Sequence, residues 1–130
     1  MQEISKISES ELQVMKLLWS TSPLTSDEII RSLSLKHNWS GQTIKTFITR
    51  LVNKGMIGYE KKGRAYNYYP LYSKDEYVKL ENKVFLRKVY DGALSLLLTN
   101  FLEEKDLSLE QIEELECILK DKKNHKSSKS

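Results

Sequence analysis

The sequence predicts a mostly α-helical protein with a small β-hairpin: a winged helix-turn-helix domain followed by a C-terminal helical dimerisation region. Two observations lead to this prediction. The segments 8–11, 25–28, 73–76 and 108–111 each have Ser or Thr followed three residues later by Glu or Gln, a capping box typical of helix N-termini. Between residues 56 and 70, the apolar pattern changes from helical spacing to that of short strands. We place the winged-helix domain at residues 1–72, the dimerisation domain at 73–122 and a disordered basic tail at 123–130.

Two capping boxes, at residues 8–11 and 25–28, predict the first two helices. Behind each box, apolar residues recur at helical spacing and predict one buried face. These residues are Leu12, Met15, Leu18 and Trp19 on the first helix, and Ile29, Ile30 and Leu33 on the second. Pro23 lies in the connection between them, where it ends the first helix.

A third helix and a hairpin complete the first domain. Ser40 is expected to cap a helix that runs to about Lys54, with Gly55 supplying a left-handed residue after it. Residues 56–60 and 65–70 are rich in Ile and Tyr and flank a basic segment, so they predict a hairpin with Gly63 in its turn. Three helices followed by a basic-tipped hairpin are the layout of a winged helix.

The remaining chain is predicted to be helical and self-associating. A capping box at residues 73–76 opens a helix that extends to about Thr99, with Gly92 marking a bend or a close contact, and another box at 108–111 opens the last helix. The apolar residues of these two helices point in too many directions for the helices to bury them alone. A second copy of the chain, related by symmetry, is the simplest way to bury this apolar surface. The predicted dimerisation residues are Tyr77, Leu80, Val84, Val89, Leu94, Leu97, Phe101, Ile112, Leu115 and Leu119.

The two halves of the chain differ in charge, although the net charge is only +3. Residues 36–72 contain seven Lys and Arg residues and Glu60 as the single acidic residue. Residues 100–116 contain seven acidic residues and Lys105 as the single basic one. A concentrated basic segment is typical of a protein that binds a polyanion, so we predict double-stranded DNA as the partner of the first domain.

The third helix carries the specific prediction for DNA. Its apolar side is formed by Ile44, Phe47, Ile48, Leu51 and Val52, and its outward side has no acidic residue between Gly41 and Lys54. We expect Gln42 to read adenine and the Thr46 methyl to contact thymine, while basic side chains and the helix N-terminus hold phosphates. The predicted DNA-binding residues are Ser40, Gln42, Thr43, Lys45, Thr46, Thr49, Arg50 and Lys54, with Lys61, Lys62 and Arg64 on the hairpin.

Other functions fit the sequence less well. The outward side of the third helix could be an ordinary solvated face, and the domain a winged-helix protein-interaction module. The hairpin tyrosines could stack on RNA bases, although alternating Tyr is more often sheet packing. Catalysis is not predicted, because His37 and His125 are the only histidines and neither has a recognisable partner. No cofactor and no metal site are predicted.

The sequence also bears on the cellular location of the protein and on the role of its single cysteine. No apolar run is long enough to cross a bilayer, and the polar start has no secretory signal, so we predict a cytoplasmic protein without direct membrane insertion. Cys117 is the single cysteine, which excludes an internal disulfide and a metal site built from cysteines. We expect its thiol to be buried.

Several segments resemble the BlaI/MecI family of penicillinase repressors. The matching segments are residues 11–19 (ELQVMKLLW), 39–55 (WSGQTIKTFITRLVNKG), 68–71 (YYPL), 88–92 (KVYDG) and 98–108 (LTNFLEEKDLS). The resemblance covers residues 4–120. It implies a homodimeric repressor that binds inverted-repeat operator DNA of β-lactamase or β-lactam resistance genes.

The resemblance also implies how such a repressor is inactivated. Members of this family are cleaved at an Asn-Phe bond in the dimerisation region, which matches Asn100 and Phe101 here. The implied protease is a membrane-bound, β-lactam-sensing metalloprotease. Without the resemblance, the same residues indicate an ordinary helix end. The chain lacks the paired Cys-x-Cys motifs of the copper-responsive branch, and a different, non-copper signal remains the alternative.

Overall fold

The computed structural model describes residues 6–104 and 106–127, which form two compact units divided between Lys83 and Val84. The chain is mostly helical with a small antiparallel sheet, as the sequence predicts. Its elements in order are α1 (Glu9–Ser20), β1 (Leu24–Thr25), α2 (Ser26–Lys36), α3 (Gly41–Asn53), β2 (Ile57–Lys62), β3 (Ala65–Pro70), α4 (Lys74–Tyr90), α5 (Leu94–Glu104) and α6 (Leu109–Ser127).

All four predicted capping boxes are confirmed. At α1, the Glu11 amide donates to the Ser8 hydroxyl at 3.1 Å, and the Ser8 amide donates to the Glu11 carboxylate at 3.0 Å. Thr25 and Glu28 make the same reciprocal pair at α2, and the pairs at residues 73–76 and 108–111 begin α4 and α6. Each pair satisfies two backbone donors that the first turn of a helix leaves without a partner.

The end of α3 is a Schellman motif centred on the predicted glycine. Gly55 has φ +75°, its amide donates to the Val52 carbonyl at 3.0 Å, and the Met56 amide donates to the Leu51 carbonyl at 2.9 Å. Leu51 and Met56 are both fully buried, which supplies the apolar contact that accompanies this motif. The chain therefore leaves α3 in a defined direction and enters β2.

The sheet has the strand order β1-β3-β2, with both pairs antiparallel. The predicted hairpin is confirmed, and its register pairs Tyr59 with Tyr68 and Lys62 with Ala65. The two-residue strand β1 was not predicted. It pairs Leu24 with Tyr68, and a segment this short has no periodicity from which to predict it.

The core of the first unit lies between α1, α2, α3 and the start of the sheet. Its fully buried apolar residues include Val14, Met15, Leu18, Ile29, Ile44, Leu51, Met56 and Ile57. Tyr77 also belongs to this core, with its ring centroid 5.5 Å from that of Trp19. Burial raises the pKa of Tyr77 to about 12, assisted by the nearby charge of Glu81. Tyr77 therefore packs inside the first unit and leaves our predicted dimerisation set.

The helices of the second unit differ from the prediction at two places. The helix expected to run to Thr99 ends at Tyr90, because Asp91 and Gly92 have φ +49° and +85°, and α5 begins at Leu94. The tail expected to be disordered from residue 123 continues α6 to Ser127, and residues 128–130 lie outside the described residues. Basic side chains in the last turn of a helix interact favourably with its dipole, and the last turn of α6 contains His125 and Lys126.

The second unit leaves many apolar side chains exposed. Of the remaining predicted dimerisation residues, Leu80 in the first unit and Leu97 in the second are half-buried. The others are exposed: Val84, Val89, Leu94, Phe101, Ile112, Leu115 and Leu119. Cys117 is exposed as well, so the expectation of a buried thiol was wrong for the single chain. No helix within the described residues is long and apolar enough to cross a lipid bilayer.

Candidate nucleic-acid interface

The third helix presents a sharply divided surface. Ile44, Ile48 and Leu51 are buried against the rest of the first unit, and Phe47 and Val52 pack partly against the same core. The apolar side predicted from the sequence is therefore confirmed. The opposite side of α3 is the part of the helix that a partner can reach.

The exposed side of α3 contains most of the residues predicted to contact DNA. Gln42, Lys45, Thr49 and Arg50 are exposed, whereas Thr46 is half-buried. The Thr46 hydroxyl donates to the Gln42 backbone carbonyl at 3.1 Å, which leaves its methyl group as the part free to contact a base. Because no carboxylate lies on α3, this surface has no acidic group of its own to repel phosphates.

The N-terminus of α3 is held in place by polar and aromatic contacts. The Ser40 hydroxyl accepts the Thr43 amide at 3.1 Å and lies 2.9 Å from the Thr43 hydroxyl. Just before it, the Trp39 ring stacks on His37 at 4.2 Å and meets the edge of Phe47 at 5.2 Å. These aromatic contacts fix the turn between α2 and α3. Our sequence prediction assigned no role to Trp39, because its neighbours come from two different elements.

Lys54 is placed differently from the other basic residues of α3. Its ammonium donates to the Glu11 carboxylate at 2.6 Å and to the Lys6 carbonyl at 2.9 Å. The sequence predicted that Lys54 contacts a phosphate, but in the structure its ammonium forms an ion pair with a carboxylate on α1. Sequence reasoning missed this pair, since the two residues are 43 positions apart.

The hairpin tip brings the second set of predicted residues together. Gly63 and Arg64 form a two-residue loop, and Gly63 has φ +64°, the left-handed value that a type II′ turn needs at its first position. Lys61, Lys62 and Arg64 are all exposed around this loop. The hairpin belongs to the same compact unit as α3, and α3 contacts β2.

One face of the hairpin is a ladder of tyrosines. The Tyr59 ring lies 5.1 Å from Tyr66 and 6.1 Å from Tyr68, and the Lys61 ammonium lies 5.9 Å from the Tyr66 ring centroid. Burial raises the pKa of Tyr68, whereas Tyr59 remains 52% exposed. The ladder therefore packs across the strands, as we preferred over stacking on RNA, and its outer members also reach solvent.

The predicted cleavage residues lie in the second unit. Asn100 and Phe101 are inside α5, in the helical segment Leu94–Glu104, so they do not form a helix end. Both are exposed, and Phe101 is 53% exposed.

Comparison with known sequences gives consistent matches. The family model of the penicillinase repressor matches residues 7–121. The chain is 40% identical to the penicillinase repressor of Bacillus licheniformis over 126 residues, covering 97% of this chain and 98% of the relative. It is 38% identical to the methicillin resistance regulatory protein MecI of Staphylococcus aureus strain N315 over 117 residues, covering 90% of this chain and 95% of the relative.

Comparison with solved structures matches the first unit. The DNA-binding domain of the repressor BlaI superposes with a TM-score of 0.53 at 39% identity, covering 59% of this chain and 94% of that domain. The monomeric form of Bacillus licheniformis BlaI, solved in complex with the blaP half-operator, superposes with a TM-score of 0.52 at the same identity and coverage.

Proposed function

Because this chain belongs to the penicillinase repressor family, we propose that it is a transcriptional repressor that binds operator double-stranded DNA as a homodimer. The observation that carries the proposal is the exposed, acid-free side of α3, in the same compact unit as an exposed basic hairpin tip. The related BlaI was solved with a half-operator, which supports the same use of this unit. As a member of a repressor family, the chain is not an enzyme, as predicted.

We propose that α3 enters the major groove of the operator. The Gln42 amide has the donor and acceptor that adenine requires, and the Thr46 methyl suits a thymine methyl. Lys45 and Arg50 contact phosphates on either side, with Ser40, Thr43 and Thr49 adding polar contacts. Lys61, Lys62 and Arg64 hold the DNA backbone beside the groove. The phosphate contacts fix the register, and the groove contacts supply the specificity.

The test of DNA binding is the salt dependence of affinity. Fluorescence anisotropy with labelled blaP half-operator DNA gives the affinity at several salt concentrations, and the slope of log affinity against log salt reports released counterions. Lys45→Gln and Arg50→Gln should each weaken binding and lower the slope by about one. Lys79→Gln is the matched control, because Lys79 is exposed on α4 and pairs with Asp75 at 3.1 Å. An affinity that does not change with salt concentration would contradict DNA binding and favour a protein-interaction module instead.

We propose that the second unit supplies the dimer contact. Within the described residues, α5 and α6 make no extensive contact with another element, yet they expose a series of large apolar side chains. A second copy covers the same apolar surface on both chains, as a two-fold interface requires. Sedimentation at micromolar concentration should give the mass of a dimer, and Leu115→Asp should give a monomer. Glu113→Gln is the control on the same helix.

We propose that β-lactam exposure relieves repression of β-lactamase or β-lactam resistance genes through cleavage between Asn100 and Phe101. A membrane-bound, β-lactam-sensing metalloprotease is the proposed partner. Cutting α5 separates α6 from the DNA-binding unit and weakens the dimer, so the operator loses the gain from two linked half-site contacts. A protease needs extended backbone, and the segment lies close enough to the end of α5 for local opening to expose it.

The test of inactivation is the intact mass of the protein from cells before and after β-lactam exposure. A fragment that ends at Asn100 supports the proposal. An intact chain in cells whose resistance genes are induced contradicts cleavage, and it supports the second candidate, a repressor of the same family that answers a different, non-copper signal.

A further inference from the structure

The first turn of α1 contains a buried carboxylate that the proposed DNA contact does not use. Glu11 is only 1% exposed, although it is ionisable. One of its oxygens, Oε1, accepts the Ser8 amide at 3.0 Å and the Lys54 ammonium at 2.6 Å. The Lys54 ammonium also donates to the Lys6 carbonyl at 2.9 Å. Two backbone groups just before α1, the Ser8 amide and the Lys6 carbonyl, therefore bond the ion pair of Glu11 and Lys54.

The polar and charged groups around Glu11 favour its ionised form. Burial raises the pKa of Glu11, but the hydrogen bonds from Lys54 and the Ser8 amide, together with the charges of Lys54 and Arg50, outweigh burial and hold that pKa below its usual value. A buried carboxylate needs such partners, because an unpaired charge in the interior is costly. Glu11 thus attracts the last two cations of the α3 region, and it bonds one of them.

The side-chain charges of Arg50 and Lys54 differ in whether they are available to contact a DNA phosphate. They are four positions apart and lie on the same side of the helix and its C-cap. Arg50 is exposed, whereas Lys54 is half-buried and bonded to Glu11. A contact from Lys54 to a phosphate would require its ammonium to leave a buried carboxylate, which would then have no cationic hydrogen-bond partner.

We infer that Glu11 is a positioning residue of the DNA-binding unit, which anchors the C-terminal end of α3 to α1 and withholds Lys54 from DNA. Arg50 is then the last cation of α3 that neutralises a phosphate. The inference rests on the proposed binding of operator DNA by α3. The inference also gives a role to Glu11, the first residue of the family-like segment 11–19, which does not contact DNA in the proposed function.

The salt slope of DNA binding tests this inference, because a purely structural residue does not change the number of counterions released. Lys54→Gln removes the charge but keeps a donor for Glu11, and its slope should equal that of the unmodified protein. Lys45→Gln, the matched control, should lower the slope by about one. Glu11→Gln keeps the acceptor for Ser8 but releases Lys54, so its slope should rise by about one. The double variant Glu11→Gln/Lys54→Gln should return to the original slope.

The outcomes separate this inference from the proposed function. If Lys54→Gln lowers the slope as much as Lys45→Gln does, Lys54 is an ordinary phosphate contact and the inference is overturned. If Glu11→Gln leaves the slope unchanged, Glu11 does not withhold Lys54, and the inference is again wrong. If Glu11→Gln does not fold, the comparison of Lys54→Gln with Lys45→Gln decides alone. Loss of all salt dependence in the unmodified protein would instead contradict DNA binding itself.

Discussion

Ile44 and Lys45 are consecutive residues of α3, but they should respond to substitution in opposite ways. Ile44 is fully buried, and Lys45 is exposed on the proposed DNA-contacting side. Ile44→Ala should therefore destabilise the first unit without removing a DNA contact. Lys45→Gln should weaken DNA binding and leave the stability of the unit nearly unchanged.

The size of the Ile44→Ala effect follows from burial. The substitution removes three carbon groups, each worth about 0.8 kcal/mol when buried, or about 2.4 kcal/mol in all. The cavity left behind adds to this loss, and measured Ile→Ala changes in cores lie at roughly 2–5 kcal/mol. We expect a decrease of about 3 kcal/mol in the free energy of unfolding. Lys45→Gln should stay within about 0.5 kcal/mol of the unmodified protein, as exposed substitutions usually do.

Urea unfolding followed by tryptophan fluorescence measures this difference. The chain has two tryptophans, and both Trp19 and Trp39 lie in the first unit, so the signal reports that unit alone. With an m-value of about 1.5 kcal/mol/M, the Ile44→Ala midpoint should fall by about 2 M. Anisotropy with half-operator DNA, at urea-free conditions where both variants are folded, gives the affinity. Equal midpoints for the two variants, or a larger affinity loss for Ile44→Ala, would refute the assigned orientation of α3.

Three further predictions follow from single contacts in the first unit. Trp19→Phe removes the indole donor that bonds the Tyr72 carbonyl at 2.8 Å, and it should lower the urea stability by about 1 kcal/mol. Gly63→Val forces a β-branched residue to φ +64°, so it should cost about 1–3 kcal/mol of unfolding free energy and weaken half-operator binding, while Lys62→Gln should weaken binding alone. The pKa of Glu11 is lowered in the folded chain, so its ionised form stabilises the fold above the unfolded pKa, and this contribution disappears as the pH falls through the folded pKa. Urea titrations at successively lower pH should show a smaller acid-induced loss of unfolding free energy for Glu11→Gln than for the unmodified protein. Identical pH profiles of the two proteins would contradict the pairing of Glu11 with Lys54.

Local signals in the sequence predicted most of the first unit correctly. A capping box is a contact between residues three apart, and a helical face repeats within one element, so neighbouring residues contain the information. The Schellman end of α3 is local in the same way, because Gly55 and Met56 bond carbonyls of the preceding turn. The two-residue strand β1 was missed, since its position depends on its distant partner Tyr68.

The errors in the predicted site have one physical cause. Helical periodicity assigns a residue to a side of the helix, but it does not determine which distant group its side chain bonds. Lys54 was predicted to be a phosphate contact at the end of α3, and its ammonium is instead paired with Glu11 on α1. Tyr77 was predicted to be a dimer contact because the apolar residues of its helix exceed what two helices can bury, and it instead packs on Trp19 within the first unit.

The exposed apolar residues of the second unit include a stripe along α6. Ile112, Leu115 and Leu119 recur at intervals of three and four residues on α6, which is the spacing of one continuous helical stripe. All three are exposed in the single chain. Burying a Leu or Ile side chain contributes roughly 1.5–3 kcal/mol, so a helix that leaves the whole stripe in water forgoes much of the stabilisation available to it. In the dimer that we propose, a second copy buries this stripe on both chains, and the stability of α6 should therefore depend on protein concentration whereas that of α3 should not.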